Sequence, residues 1–386
     1  MVKSQKTAKK VKKKVLFTSH TANFQKFNQA LILMLRAKLK KNYKSFNMKG
    51  CEVHYASAGE EEIKNVDKSF KVDFARNPFK FWAHIRAYYQ LKKIIEANHY
   101  DLIHTHTPVG SVITRLAARK ARKNGCKVIY TCHGFQFFEG GPWLDWILWY
   151  PIERLMAHFC DLIITINSED YQLAKKHFKT KVAMIDGVGV EVEKYQKSFS
   201  EKKKAQLRKK LKLKQDDFVI SYVAEFIRRK NHRMLIKAAC PIIEEHPEVK
   251  LLLIGDGKLL PRYQRRIQKA GLTKNIKFLG YRKDIPELLS ISDLYVSTSK
   301  NEGLGLNVLE ALLMDCPVVM TDNRGHSEIA SARAKYLVGD HDVDTLEDKI
   351  ELALRGAISY KLKFPERYSL ENSLSKMNKI YKGFLQ

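Results

Sequence analysis

Short apolar runs separated by longer amphipathic stretches recur along the whole chain. The first, Val15-Leu16-Phe17, continues into Thr18-Ser19, and at 24–40 apolar residues follow at helical spacing, Phe27, Leu31, Met34 and Leu35. A strand and then a helix are predicted. Val53-His54-Tyr55-Ala56, Leu102-Ile103-His104, Val128-Ile129-Tyr130-Thr131 and Leu162-Ile163-Ile164-Thr165 repeat the strand signal, with a long helix at 79–97 and helical stretches between the others. Strands that alternate with helices pair in parallel through right-handed crossovers. The pattern breaks at the polar stretch 191–217 and restarts with Val219-Ile220-Ser221-Tyr222-Val223, Leu251-Leu252-Leu253-Ile254, Ile276-Lys277-Phe278-Leu279, Leu294-Tyr295-Val296 and Val318-Val319-Met320. The chain thus reads as α/β, two doubly wound domains facing across a cleft, 1–196 and 197–365, with a helical end at 366–386 expected to pack back on the first.

One segment, 297–321, concentrates chemistry: a strand end, the glycine-rich turn Glu302-Gly303-Leu304-Gly305 and a helix from about Leu306 that carries Glu310. Glycines at such a turn permit close backbone approach. The first amides of a helix lack intrahelical partners and favour an anion such as phosphate. Carboxylates suit a different neighbour, the hydroxyls of a sugar or ribose. The plain alternative is a capping Glu302 and a solvated Glu310.

Length allows two cores, and 45% hydrophobic with 29% charged residues describes a globular protein. The formal charge of +29 is unevenly spread: seven lysines and no acid in 1–14, nine basic residues against Glu201 in 197–214. Such runs are solvated tails or linkers, or they meet polyanions and anionic lipid. No apolar run is long enough to span a bilayer, and the lysine-rich start lacks the apolar core of a signal peptide, so a cytoplasmic chain is expected. Six cysteines without CxxC pairing, mostly beside apolar runs, fit buried thiols in a reducing compartment. Lysines clustered in tails, with no interleaved aromatics, argue against nucleic acid as the partner.

Other polar residues fall at strand ends, where open α/β sheets bind ligands: Asn23, His104, His106 and His133 in the first half, Lys230, Asp256 and Asp284 in the second. His133 stands between a strand and Gly134, a position more useful for a ligand than for core packing. His104 and His106 are expected on opposite sides of their strand. Arg228-Arg229-Lys230 precedes a helix near Asn231 and gives the cations that a departing diphosphate requires.

These residues together resemble the retaining, nucleotide-sugar-dependent glycosyltransferases of family 4. Glu302 through Glu310 matches that family's E-x7-E signature. Phe278-Leu279-Gly280-Tyr281 with Asp284, Ile254-Gly255-Asp256-Gly257, Lys230-Asn231, His106-Thr107-Pro108-Val109-Gly110, His133-Gly134-Phe135 and Pro151-Ile152-Glu153-Arg154 support it, the last three resembling the capsular and exopolysaccharide subgroup. The resemblance implies the GT-B fold of two Rossmann-like domains, the first for the acceptor and the second for the nucleotide sugar. It implies catalytic roles for His133, Glu302 and Lys230. It implies donor contacts from Arg228, Arg229, Lys230, Asp256, Tyr281, Gly303, Leu304, Gly305, Leu306 and Glu310, and acceptor contacts from Asn23 and His106. Glu310 would hold the ribose, Glu302 the donor hexose and Lys230 the leaving diphosphate, with no cofactor and no metal. A hexose or N-acetylhexosamine would pass from a nucleotide sugar, UDP-linked by resemblance, to a saccharide or polyprenyl-diphosphate-linked acceptor. One departure stands out: Ala224-Glu225 replaces the family's Gly-Arg, which leaves Arg228 or Arg229 to take the arginine's part.

A nucleotide-sugar 2-epimerase on the same fold and a polyanion-binding protein are the competing readings, and the two glutamates favour transfer over both. Three tryptophans, Trp143, Trp146 and Trp149, in a stretch with a basic domain around it also leave open a peripheral contact with the inner face of the cell membrane.

Overall fold

A computed structural model describes residues 12–196, 198–331, 333–357 and 359–385; most of the lysine-rich tail, 1–11, lies outside them. The chain divides into two compact units, one ending at Gly189 and resuming at Glu371, the other Val190–Leu370. The divisions fall a few residues before 196/197 and after 365/366, and the polar stretch is itself folded in part: it holds the helices Val192–Tyr195 and Glu201–Lys210.

In the first unit the described residues form a parallel sheet of seven strands, β1 (Lys14–Thr18), β2 (Glu52–Ser57), β3 (Lys68–Lys71), β4 (Leu102–His106), β5 (Lys127–Cys132), β6 (Leu162–Thr165) and β7 (Lys181–Met184), in the order β3-β2-β1-β4-β5-β6-β7. β1 pairs with both β2 and β4, so the direction of winding reverses between β1 and β4. Ligands bind such sheets at the carboxyl ends flanking that reversal. Val15, Leu16 and Phe17 are fully buried, as a central strand covered on both faces requires.

The helix predicted at 24–40 is shorter, Gln25–Leu35. Ala37 takes a left-handed φ of 57° just beyond it, and the chain continues as the 3-10 turn Lys41–Phe46. The long helix runs Phe81–Asn98, closed by His99 in the left-handed region. The final helix, Leu370–Leu385, buries Leu374, Met377 and Tyr381. It is fastened to the first unit by Tyr381 OH to His104 Nδ1 at 2.6 Å, Asn378 Nδ2 to Phe46 O at 2.6 Å and Ser373 Oγ to Gly187 O at 3.0 Å.

The second unit repeats the topology with β8 (Phe218–Val223), β9 (Val249–Ile254), β10 (Ile276–Gly280), β11 (Leu294–Ser297), β12 (Val318–Thr321) and β13 (Leu337–Val338), ordered β10-β9-β8-β11-β12-β13. Its reversal lies between β8 and β11. The loops leaving those two strands carry Lys230 and Glu302. Among the described residues no helix is long and apolar enough to cross a membrane. Five cysteines are buried and Cys240 partly so, all as free thiols.

Candidate active site

At the reversal of the second sheet, two loops are laced together through backbone and hydroxyl groups. Tyr222 OH donates to Lys230 O at 2.8 Å and meets Ser299 Oγ at 2.9 Å. Lys300 N–H reaches Arg229 O at 2.8 Å, and Thr298 Oγ1 reaches Asn231 O at 3.1 Å. Asn231, at φ 47°, turns the chain from the 3-10 segment Arg228–Lys230 into the helix His232–Glu245. Lys230 and Arg229 are thereby held over the loop after β11.

Both grip one carboxylate. Lys230 Nζ bonds Glu302 Oε1, and Arg229 donates to Glu302 Oε2 at 2.8 Å and to Asn301 O at 2.7 Å. Glu302 is only 7% exposed. Burial would raise its pKa, but Lys230, Arg229 and then His326 outweigh burial and hold it at about 2. The carboxylate is therefore ionised at neutral pH although water is nearly excluded. Glu302 does not cap the helix Leu306–Leu313, whose N-cap is Gly305 and makes no side-chain cap bond.

His326 was not singled out by the sequence, yet it lies directly behind the turn. Its Nδ1 donates to Thr321 O at 2.8 Å and its Nε2 faces Ser297 Oγ at 3.3 Å. Burial lowers its pKa to about 4 despite Glu302 nearby, so the ring is neutral at pH 7. A Cβ on Gly305 would come within 2.8 Å of His326 Cδ2, so the glycine is what lets the turn lie on the imidazole. Leu304 is buried, and Gly303 and Leu306 are partly exposed at the mouth of the turn.

Glu310, on the following helix, accepts from Tyr195 OH at 2.6 Å. Burial raises the Glu310 pKa, offset in part by that bond and by Lys194. Tyr195 comes from the short helix Val192–Tyr195, inside the stretch that composition marks as a linker. Glu302 and Glu310 therefore have different surroundings: one clamped by two cations, the other by a phenol.

The remaining donor-side candidates are less enclosed. Gly255 and Gly257 have φ of 144° and 148°, and a Cβ on Gly255 would lie 2.1 Å from Ala224 O. They let the turn after β9 lie against the loop after β8, sealed by Phe226 N to Asp256 O at 2.8 Å. Asp256 folds onto its own backbone, Oδ1 accepting from Gly257 N at 2.7 Å. Tyr281 is 65% exposed. Asp284 is bound by Arg282 at 2.8 Å. Glu225 and Arg228 are exposed, and Arg228 has no side-chain partner among the described residues. Of the two arginines, Arg229 is committed to Glu302 and Arg228 is free to meet a ligand.

In the first unit, His106 Nδ1 and His133 Nε2 are 3.1 Å apart, and Phe24 packs on both rings with centroids at 5.6 and 4.9 Å. The expectation that His104 and His106 point to opposite sides is wrong. Their ring centroids are 4.3 Å apart, since alternate residues of a strand share a face and only Thr105 lies on the other. His104 is saturated by Tyr381 OH and Thr131 Oγ1 at 2.7 Å, whereas buried His106 Nε2 has no partner. Burial lowers the pKa of His133 to about 4, and burial, with His104 and His133 alongside, holds that of His106 well below its ordinary value. Gly134, at φ 119°, makes the sharp exit that leaves His133 at the sheet edge. Thr107 holds φ 68° before Pro108, and Gly110 gives room, a Cβ there coming within 2.8 Å of Thr107 Oγ1. Asn23 is exposed and donates to Glu61 Oε1 at 3.1 Å.

The Pro151-Ile152-Glu153-Arg154 motif has a structural use. Glu153 is buried and takes Arg115 at 2.8 Å, fastening the helix Trp143–Met156 to the helix Pro108–Ala117. That helix turns Trp146 inward, its Nε1 donating to Phe138 O at 3.0 Å. Trp143, Leu144, Ile147 and Leu155 are 68%, 60%, 65% and 58% exposed and form an apolar stripe.

Residues 203–369 match the family described as Glycosyl transferases group 1, and residues 43–186 the one described as Glycosyltransferase Family 4. The chain is 37% identical over 352 residues to the putative glycosyltransferase EpsD of Bacillus subtilis, covering 89% of this chain and 92% of that one. It is 29% identical over 263 residues to the UDP-Gal:alpha-D-GlcNAc-diphosphoundecaprenol alpha-1,3-galactosyltransferase of Escherichia coli, covering 66% of each. Among solved structures, Anabaena HepE in complex with UDP superposes with a TM-score of 0.74 at 19% identity, over 96% of this chain and all of that one (100%).

Proposed function

Because the chain belongs to the family 4 glycosyltransferases of the GT-B fold, in the exopolysaccharide subgroup, we propose that it moves a hexose or N-acetylhexosamine from a UDP-sugar to a lipid-linked saccharide with retention at the anomeric carbon. The clamp of Lys230 and Arg229 on buried Glu302, at the carboxyl ends of β8 and β11, is the observation that carries this reading. In the proposal the diphosphate lies against the turn 303–306, with Lys230 on one side and Arg228 filling the role of the arginine that Glu225 displaces. Fixed cations and helix amides stabilise the negative charge that grows on the leaving group. Glu302, ionised and dry, accepts hydroxyls of the donor sugar, and Glu310 accepts those of the ribose. The bond from the anomeric carbon to the diphosphate breaks, the acceptor oxygen bonds to the same face, and its proton passes to the departing diphosphate. Charge neutralisation is assigned to these side chains without a metal. On the first unit His133, neutral at pH 7, is the group proposed to meet the transferred sugar.

The acceptor is assigned to a lipid surface at the inner leaflet, met by the stripe of Trp143, Leu144, Ile147 and Leu155. The named acceptor of the Escherichia coli relative, a diphosphoundecaprenol saccharide, supports that assignment. The test is to determine the anomeric configuration of the product by NMR after reaction with a UDP-sugar, with and without EDTA. Retention and EDTA-insensitive turnover are expected; an inverted product, or loss of turnover restored by a divalent ion, would overturn the mechanism.

A further inference from the structure

The loops after β2 and β3 and the first turn of the helix Phe81–Asn98 enclose a groove of about 570 Å³ in the first unit. No motif discussed above touches it. Lys71, Arg76, Lys80 and Arg86 line it, together with Asp73. Two of the cations are answered from within: Lys71 pairs with Glu60 at 2.8 Å, and Arg86 with Asp73 at 3.4 Å. Gln90 holds Asp73 in place, donating 3.2 Å to Oδ2 and accepting from Asp73 N at 2.9 Å. Arg76 and Lys80 are exposed and have no side-chain partner among the described residues.

The groove borders the edge of the sheet where ligands are expected. After burial, Arg76 is what lowers the pKa of His20, in the loop that follows β1. His20 in turn donates its N–H to Thr107 Oγ1 at the end of β4, 3.2 Å away. Beside the groove the chain turns three large aromatic side chains to solvent, Phe79, Phe81 and Trp82, at 79%, 66% and 73% exposure.

We propose that this groove binds the diphosphate of a lipid-linked saccharide while Phe79, Phe81 and Trp82 enter the lipid surface beside it. The inference rests on the acceptor reading above. Two unanswered cations match the two negative charges of a diphosphate diester, and charge-assisted hydrogen bonds to phosphate oxygens are the strong ones. The N-terminus of a long helix adds a favourable field. Aromatic residues flanked by cations are suited to the boundary between headgroups and acyl chains. A free anionic metabolite would give the three exposed aromatics nothing to do, and a plain anionic bilayer would need no groove.

Co-sedimentation of the full chain with three vesicle types tests this: phosphatidylcholine alone, with undecaprenyl diphosphate, and with phosphatidylglycerol at equal surface charge. Tighter binding to the diphosphate vesicles than to the phosphatidylglycerol vesicles is expected, with inorganic diphosphate competing. Arg76→Ser/Lys80→Ser should weaken that binding about tenfold, and Phe81→Ser/Trp82→Ser should weaken binding to all lipid-containing vesicles. Both double variants replace exposed side chains and should keep the wild-type melting temperature. Equal binding to both anionic vesicle types, or wild-type binding by Arg76→Ser/Lys80→Ser, overturns the proposal. Thermal stabilisation by UDP, measured in parallel, reports on the transferase reading separately, because the groove contains none of the donor-side residues.

Discussion

Glu302 is one carboxylate answering two cations in a place where water is scarce, and that imbalance defines its behaviour. A group whose folded pKa lies below its ordinary value stabilises the fold above the ordinary value and loses that contribution as pH falls. For Glu302 the window runs from about 4.5 down to about 2. Glu302→Gln has no charge to titrate there, so its melting temperature should fall less steeply than that of wild type across that window, as read by scanning fluorimetry. The same variant frees Lys230 and Arg229 from their internal partner. Its affinity for UDP should be kept or raised while turnover falls about a hundredfold, the usual scale for losing a preorganised polar contact in a transition state. A matching loss of UDP affinity would mean that Glu302 acts only as scaffold for Lys230.

At the scale of elements, the site is made by turns whose geometry forbids side chains. Gly255 combines a φ of 144° with a Cβ position 2.1 Å from Ala224 O, and neither end of that clash is a movable side chain. Gly255→Ala should therefore cost about 3 kcal/mol or more and lower the melting midpoint by about 6 °C or more. The loop after β8 would move with it, so a UDP affinity unchanged in Gly255→Ala would contradict the assignment of Lys230 to the diphosphate. The elements that build the site were legible in the sequence, because β1, β8, β9 and β11 are central strands rich in buried apolar residues. The edge strands were not. β3 reads Lys68-Ser69-Phe70-Lys71 and is mostly exposed, while β13 has two residues, so neither carries a periodic apolar signal. Tyr195 and His326 were missed for a related reason: nothing local marks them, and their importance comes from contacts 115 residues away with Glu310 and 29 residues away with Ser297. The placement of His104 and His106 failed differently, through the strand period itself, which puts alternate residues on one face.

For the molecule as a whole, two copies of one topology carry different chemistry at equivalent positions. The reversal in the first sheet is lined by histidines that burial keeps neutral and by aromatic rings; the reversal in the second is lined by lysine, arginine and glutamate. A neutral, partly apolar edge suits a saccharide, and a cationic one suits a nucleotide diphosphate. The excess of basic residues, +29 overall, says nothing of this division, since much of it is carried by 1–14 and 197–214, which include none of the residues named at either reversal. Thermal-shift measurement of the full chain against a panel of nucleotides and nucleotide sugars tests the central claim most directly. Stabilisation by UDP and by one UDP-sugar, lost in Lys230→Ala and reduced in Arg228→Ala, is the predicted result; no response to any nucleotide, or an equal response in Lys230→Ala, would contradict it.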